Sequence, residues 1–312
     1  MQVLDEASVL ESEIDSLGHM NVRFYIARVD RANAVLLQQL GIKIPADQKA
    51  VLRRADTYSR FHREQFAGSQ LQVHGGLLEI SPEKIRCYYE IRNPDKDQVA
   101  ATFITVSKLI QPASQTTVPF SLAGVTEFEQ YKVDLPDYGS PRSLTLNLPK
   151  VDIALRELQA RITSEPAPGM MSGSRSFGIE AGDCDANGYL QEDIDLMFIM
   201  HRAQSLQQGQ TFGPPIMKTD NGHRFSWAMI ETRAVVLGRP RAGDQLLSIG
   251  ADIAYGERWR QSRRWAFVKN TGVLVGINDV VGIALDLDER KSIHIPEAVR
   301  KTIEDTYLPD LA

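Results

Sequence analysis

Near the start of this chain a carboxylate, a glycine turn and an imidazole fall within five residues, Asp15-Ser-Leu-Gly18-His19, followed by Met-Asn21-Val22. Asp15 is placed to accept hydrogen bonds from the backbone just ahead of it, and Gly18 permits a backbone angle that other residues resist. From Val22 the apolar residues recur at three- and four-residue spacings through Tyr25, Ile26, Val29, Ala32, Leu36, Leu37 and Leu40, which predicts a helix. The turn therefore sits at a helix start, with its unpaired N–H groups and the positive end of the helix dipole. Polarising a carbonyl needs those parts together. An N-terminal cap leading into an ordinary core helix needs the same residues, so both readings stand at this point.

A second copy lies 170 residues on. Gly182-Asp183-Cys184-Asp185-Ala-Asn187-Gly188-Tyr189-Leu-Gln191 sets Asp185 over Asp15, Gly188 over Gly18, Tyr189 over His19 and Gln191 over Asn21. A further anchor, Ala67-Gly68-Ser69-Gln70-Leu71 over Ala242-Gly243-Asp244-Gln245-Leu246, follows at an offset of 175, a loop-sized difference. Two anchors in one order indicate an internal duplication.

The elements that must position these residues repeat as well. Residues 2–14 read as a lead-in strand and Val22–Leu40 as the helix, closed by Gly41. Strand-like runs follow at Val51–Glu64, Leu71–Ile80, Lys84–Arg92 and Val99–Ile110. The second copy gives a strand at Ser174–Ile179, a helix at Glu192–Gln207, and strands at Phe225–Leu237, Gln245–Ala254, Arg258–Lys269 and Leu274–Ala284. This divides the chain into an N-terminal unit (1–115), a proline-punctuated connector (116–172) with a short helix over Val151–Ile162, a C-terminal unit (173–290) and a tail (291–312) with a helix over Pro296–Tyr307.

The 312 residues carry a net charge of −5, which gives no support to nucleic-acid binding. No apolar run approaches the ~20 residues that span a bilayer, and the first residues lack signal-peptide character. Two cysteines, Cys87 and Cys184, make neither a disulfide framework nor a metal site. The expectation is a cytoplasmic protein with reduced thiols, no cofactor, no metal and no membrane partner.

Asp15, Gly18, His19, Asn21 and Tyr25 together match the Asp-x-x-Gly-His-x-Asn-x-x-x-Tyr motif, and the chain resembles hotdog thioesterases of the 4-hydroxybenzoyl-CoA thioesterase type. Residues 182–188 look like the same turn, with Tyr189 and Gln191 departing from its His and Asn. Arg63-Glu64 followed by Ala67-Gly68 is similar to a stretch of thioesterase-like proteins of carnitine and betainyl-CoA metabolism. The resemblance implies an α+β fold of two tandem hotdog units, each an antiparallel sheet wrapped around a long central helix, paired within one chain as a pseudo-dimer. Plant acyl-carrier-protein thioesterases are doubled in this way, so the implied partner is an acyl-CoA or an acyl carrier protein, with CoA entering only as part of the substrate. Whether the pseudo-dimer pairs again into a homo-oligomer stays open.

The resemblance makes Asp15 the base or nucleophile and gives the thioester oxygen to the backbone N–H of Val22. One such donor contributes roughly 3–4 kcal/mol to transition-state stabilisation. His19 and Asn21 would orient Asp15, the water or the thioester; His19 as a plain turn residue and Asn21 as the helix cap are the competing readings. Asp185 would serve a second site or only cap its helix. Glu64 and Asp56 are candidates for a second acid, and His201 for a group reaching the first site. Arg258, Arg260 and Arg264 share one side of an alternating strand, with Arg263 on the other, and form a candidate row for CoA phosphates or else a solvated sheet face. Rival functions are a hotdog enoyl-CoA hydratase or dehydratase, and a non-catalytic acyl-CoA-binding protein.

Overall fold

The computed structural model describes residues 1–42, 50–111, 114–120, 128–162, 172–191, 216–219 and 221–312. They form two compact units, Met1–Arg142 and Ser143–Ala312.

In the first unit, strands β1 (Gln2–Ser8), β2 (Val51–Phe61), β3 (Gln70–Ile80), β4 (Ile85–Asn93) and β5 (Gln98–Gln111) make an antiparallel sheet in the order β1-β3-β4-β5-β2, with the short β6 (Thr116–Val118) beside β5. Helix α1 (Val22–Gln39) lies across it. The helix buries Tyr25, Val29, Ala32, Leu36 and Leu37, the stripe its spacing predicts, against Leu71, Val73, Leu77, Ile85, Tyr89, Ile91 and Phe103. Each fully buried side chain of this size contributes about 1.5–3 kcal/mol relative to exposure, so this face carries the stability of the unit. It also fixes where the helix begins. Arg28 is the polar member of the buried stripe: it donates to both carboxylate oxygens of Glu13 at 3.1 and 2.8 Å and to the carbonyl of Ser8, tying the helix to the turn before it. Burial pushes the Glu13 carboxyl up, but the hydrogen bonds from Arg28 and the Leu10 N–H outweigh it and hold the group below its ordinary range.

The second unit repeats the topology. Strands β7 (Gly173–Gly178), β9 (Arg224–Val236), β10 (Gln245–Tyr255), β11 (Trp259–Val268) and β12 (Val273–Asp286) pair in the order β7-β10-β11-β12-β9, the same path with each strand replaced by its counterpart. Short β8 (Met217–Lys218) and β13 (Lys291–Ser292) flank β9 and β12. The helix expected over Glu192–Gln207, with His201, lies outside the described residues. The chain divides within the segment read as a connector. Val133 N–H donates to the carbonyl of Leu77, and Tyr138 to buried Glu90, all in the first unit. Helix α2 (Leu155–Arg161) places Leu158, with Ile153 and Ile162, on Trp265 and Phe267 of the second. Helix α3 (Glu297–Asp305) closes the tail.

His62, just past β2, yields a stability prediction. Its ring faces Thr102 Oγ1 at 3.2 Å, and burial, reinforced by Arg60 and Arg63, lowers its pKa from 6.5 to about 4. The folded chain keeps this imidazole neutral where the unfolded chain protonates it. Its contribution is therefore complete above about pH 6.5 and is lost as pH falls toward 4. Urea unfolding at pH 7 and pH 4.5 is expected to show that His62→Gln loses about 1–2 kcal/mol less than wild type over this interval.

Candidate active site

The turn before α1 is built by its own backbone. Asp15 N–H donates to the His19 carbonyl and Gly18 N–H to the Asp15 carbonyl, each at 3.0 Å, and Gly18 takes φ +80°, which a side chain resists. Asn21 N–H reaches the Glu13 carbonyl, so the whole turn closes on the residue that Arg28 holds.

That closure brings Asp15, His19, Asn21 and Val22 together. The Asp15 side chain is only 3% exposed. Its Oδ1 accepts the Leu17 N–H at 2.8 Å, and its Oδ2 accepts the amide of Asn21 at 2.9 Å. Asn21 is also the helix cap, its Oδ1 accepting the Arg23 N–H at 3.1 Å. One Asn21 side chain thus both caps the helix and contacts Asp15. Val22, the first helical residue, has a backbone N–H without a hydrogen-bond acceptor among the described residues. The helix dipole adds positive potential at that point.

Asn21→Ala is accordingly expected to act twice. Loss of the cap costs about 1 kcal/mol of stability, visible as a shift in the urea midpoint, and Asp15 loses the donor that fixes Oδ2.

Glu64 joins the site from outside the strand its sequence suggested. β2 ends at Phe61, and residues 62–69 run as a loop back to the turn. Met20 N–H donates to the Gln65 carbonyl at 2.7 Å, Gly68 N–H to Val9, and Val9 N–H to Ser69. The buried Gln65 side chain accepts the Asn93 amide at 2.8 Å and locks the loop. So held, Glu64 Oε1 lies 3.3 Å from His19 Nε2, while His19 Nδ1 faces Asp15 Oδ1 at 3.6 Å. Nδ1 is buried with no hydrogen-bond partner among the described residues. The Tyr25 hydroxyl, from the first turn of α1, donates to the Arg63 carbonyl of the same loop. Burial, with the nearby Glu64 carboxylate, pushes this phenol well above its ordinary range, so it stays a donor.

The sequence pattern missed Glu13, Arg28 and Gln65, which hold the turn. Arg28 was signalled by a cation on the apolar stripe of α1. Asp56 stays in β2, beside a register shift, and is not among the residues gathered at the turn. The arginine row needs correction. Arg258 precedes β11, is exposed and donates to Ser292. Arg260 and Arg264 are buried, the former over the Trp227 ring and 3.8 Å from Asp252, the latter donating to Ser248 Oγ. Burial and the neighbouring Arg175 lower Arg264 to about 9. These two side chains are interior to the second unit and do not present an exposed phosphate row. Arg263, on the other side, pairs with Asp279.

The second turn reproduces the backbone of the first. Asp185 N–H donates to Tyr189, Gly188 N–H to Asp185, Gln191 N–H to Asp183 and Leu190 N–H to Pro240, and Gly188 has φ +77°. Its side-chain chemistry is different. Asp185 Oδ1 accepts N–H groups from Asn187 and Tyr189, and Oδ2 accepts Arg239 Nη2 at 3.0 Å. Gln191 turns its amide to the Cys184 carbonyl instead of to the carboxylate.

A family model described as the thioesterase-like superfamily matches residues 9–124, which contain every side chain of the first site. Three solved structures share the fold over most of the chain. A putative oleoyl thioesterase from Lactobacillus plantarum has 10% identity and a TM-score of 0.61, covering 91% of this chain and 97% of that one. The 12:0-ACP thioesterase from Umbellularia californica has 9% identity and a TM-score of 0.62, covering 90% and 93%. An acyl-ACP thioesterase from Bacteroides thetaiotaomicron has 11% identity and a TM-score of 0.60, covering 89% and 96%. No curated protein matches the chain. Residues 9–124 thus match the thioesterase-like superfamily model, and the chain as a whole shares the double-hotdog fold of these three structures.

Proposed function

We propose that this chain hydrolyses an acyl thioester at the Asp15 turn. The observation that carries the reading is a buried carboxylate in the turn before a helix whose first N–H has no acceptor among the described residues, within a segment that matches the thioesterase-like superfamily model. The Val22 N–H receives the thioester oxygen as charge builds on it. Asp15 takes a proton from the attacking water, the tetrahedral intermediate collapses, the C–S bond breaks, and the thiol leaves with a proton while the acid remains. Both Asp15 oxygens already accept a hydrogen bond, which fixes the carboxylate and tempers its basicity and nucleophilicity alike. Direct attack of Asp15 on the carbonyl, expelling the thiolate and giving a mixed anhydride that water then opens, is the alternative route. A single turnover in ¹⁸O-water tests for the anhydride: label on Asp15 shows direct attack with water opening the anhydride at the Asp15 carbonyl, whereas water activation puts label only in the released acid.

The substrate class is an acyl-CoA or an acyl carrier protein; two of the three structural relatives named above are acyl-ACP thioesterases. The test is free-thiol release from a panel of both ester types. Release above the spontaneous rate from either class supports the reading and names the class. No release from any ester removes it, leaving hydration chemistry or silent acyl-CoA binding.

A further inference from the structure

We propose that one structural position decides whether the aspartate of each turn can work. Glu64 occupies it in the first unit, as a positioning residue that holds His19 toward Asp15. Arg239 occupies it in the second and locks Asp185 out of chemistry. This deepens the hydrolase reading at Asp15 and rests on it.

The equivalence comes from backbone hydrogen bonds. Met20 N–H donates to the Gln65 carbonyl, and Leu190 N–H to the Pro240 carbonyl. Gly68 N–H donates to Val9, and Gly243 N–H to Ile179. Val9 N–H returns to Ser69, and Ile179 N–H to Asp244. The two loops therefore share these three backbone bonds at matching positions, with Glu64 and Arg239 each one residue before the carbonyl that docks on the turn.

What sits at that position inverts the electrostatics. Arg239 is 4% exposed at its side chain; it donates through Nε to the Leu190 carbonyl and through Nη2 to Asp185, and its guanidinium lies 5.5 Å from the Tyr189 ring centre. Burial pushes Asp185 up, but the Tyr189 and Asn187 N–H groups and Arg239 outweigh it and hold the carboxyl below its ordinary range. A guanidinium keeps its charge at every working pH, so it stabilises the Asp185 anion permanently and makes it a poor base. Tyr189, standing where His19 does, brings no ring nitrogen. Among the described residues Asp15 has no such cation: its donors are a backbone N–H and an amide, and the imidazole facing it has Glu64 3.3 Å from its other nitrogen. A carboxylate 3.3 Å from Nε2 favours the ring tautomer that carries its proton there and so biases the ring's orientation.

The experiment compares the wild-type chain with Glu64→Ala, Glu64→Asp, Glu64→Arg, Arg239→Met and Arg239→Lys. Three readouts are kcat and KM on the best thioester, thermal stability, and the ¹⁵N spectrum of the His19 ring, which needs no turnover. Glu64→Ala is expected to lower kcat about 10-fold, part of the general-base contribution, with KM within about twofold and the ring changed from one tautomer to a mixture. Glu64→Asp restores part of both. Glu64→Arg imposes the chemistry of the second turn and lowers kcat by about 100-fold. Arg239→Met, or Arg239→Lys if the former fails to fold, leaves kcat within about twofold and the His19 spectrum unchanged while lowering stability. Wild-type kcat and an unchanged ring spectrum in Glu64→Ala overturn the proposal for Glu64. A kcat loss in folded Arg239→Lys matching that of Glu64→Ala overturns it for Arg239. If the wild type turns over no thioester, the hydrolase reading falls by itself, and the His19 spectrum still decides whether Glu64 sets the ring.

Discussion

Asp15→Asn is expected to lower kcat/KM for thioester hydrolysis by ~10²–10⁴-fold, the span that a positioned general base supplies. The replacement is nearly isosteric and keeps an oxygen for the Leu17 N–H at Oδ1. At Oδ2 it sets an amide against the amide of Asn21, a local mismatch costing about 1 kcal/mol. The fold therefore survives, because α1 is held by its apolar face and by the Arg28–Glu13 pair, neither of which involves Asp15. Asp185→Asn is the matched control. It weakens the contact with buried Arg239, so stability falls, while activity stays within about twofold. Initial rates of thiol release beside thermal melts separate the two variants.

Val22→Pro tests the backbone donor, which no side-chain change can remove. Proline is tolerated at the first helical position, where the N–H has no intrahelical partner to lose. The preceding residue must then be extended, and Asn21 already is, with φ −66° and ψ 142°. The substitution deletes the N–H with the helix intact. Loss of one oxyanion donor is expected to lower kcat by ~10²–10³-fold with KM nearly unchanged, since the donor binds charge that develops only after attack. Circular dichroism and kcat on one thioester check both halves. A proline variant with full kcat removes Val22 from the mechanism and sends the oxyanion elsewhere.

The sequence made the local parts of the site visible and hid the distant ones. The Asp15 turn, its glycine and the stripe Tyr25, Val29, Ala32, Leu36 are short-range features, dictated by hydrogen bonds and periods within a few residues. The duplication was legible because turns conserve glycines where φ is positive, and Gly18, Gly188, Gly68 and Gly243 all take it. Glu64 was harder, since its role depends on a loop folding back 45 residues from His19. Its contrast with Arg239 was latent in the 175-residue offset of the glycine anchors, but alignment alone does not say that one contacts a histidine and the other an aspartate. The arginines of β11 misled because alternation reports two faces of a strand and not which is wet. Arg260 and Arg264 on one side of β11 and Arg263 on the other are all buried in polar pairings.

The most direct test is the initial rate of free-thiol release, with the acid product quantified, for the wild-type chain and Asp15→Asn on the best ester of the panel. Hydrolysis at the first turn predicts thiol and acid in equal amounts from the wild type and a rate at least ~10²-fold lower from the variant. A variant that keeps the wild-type rate, or thiol released without the matching acid, contradicts it.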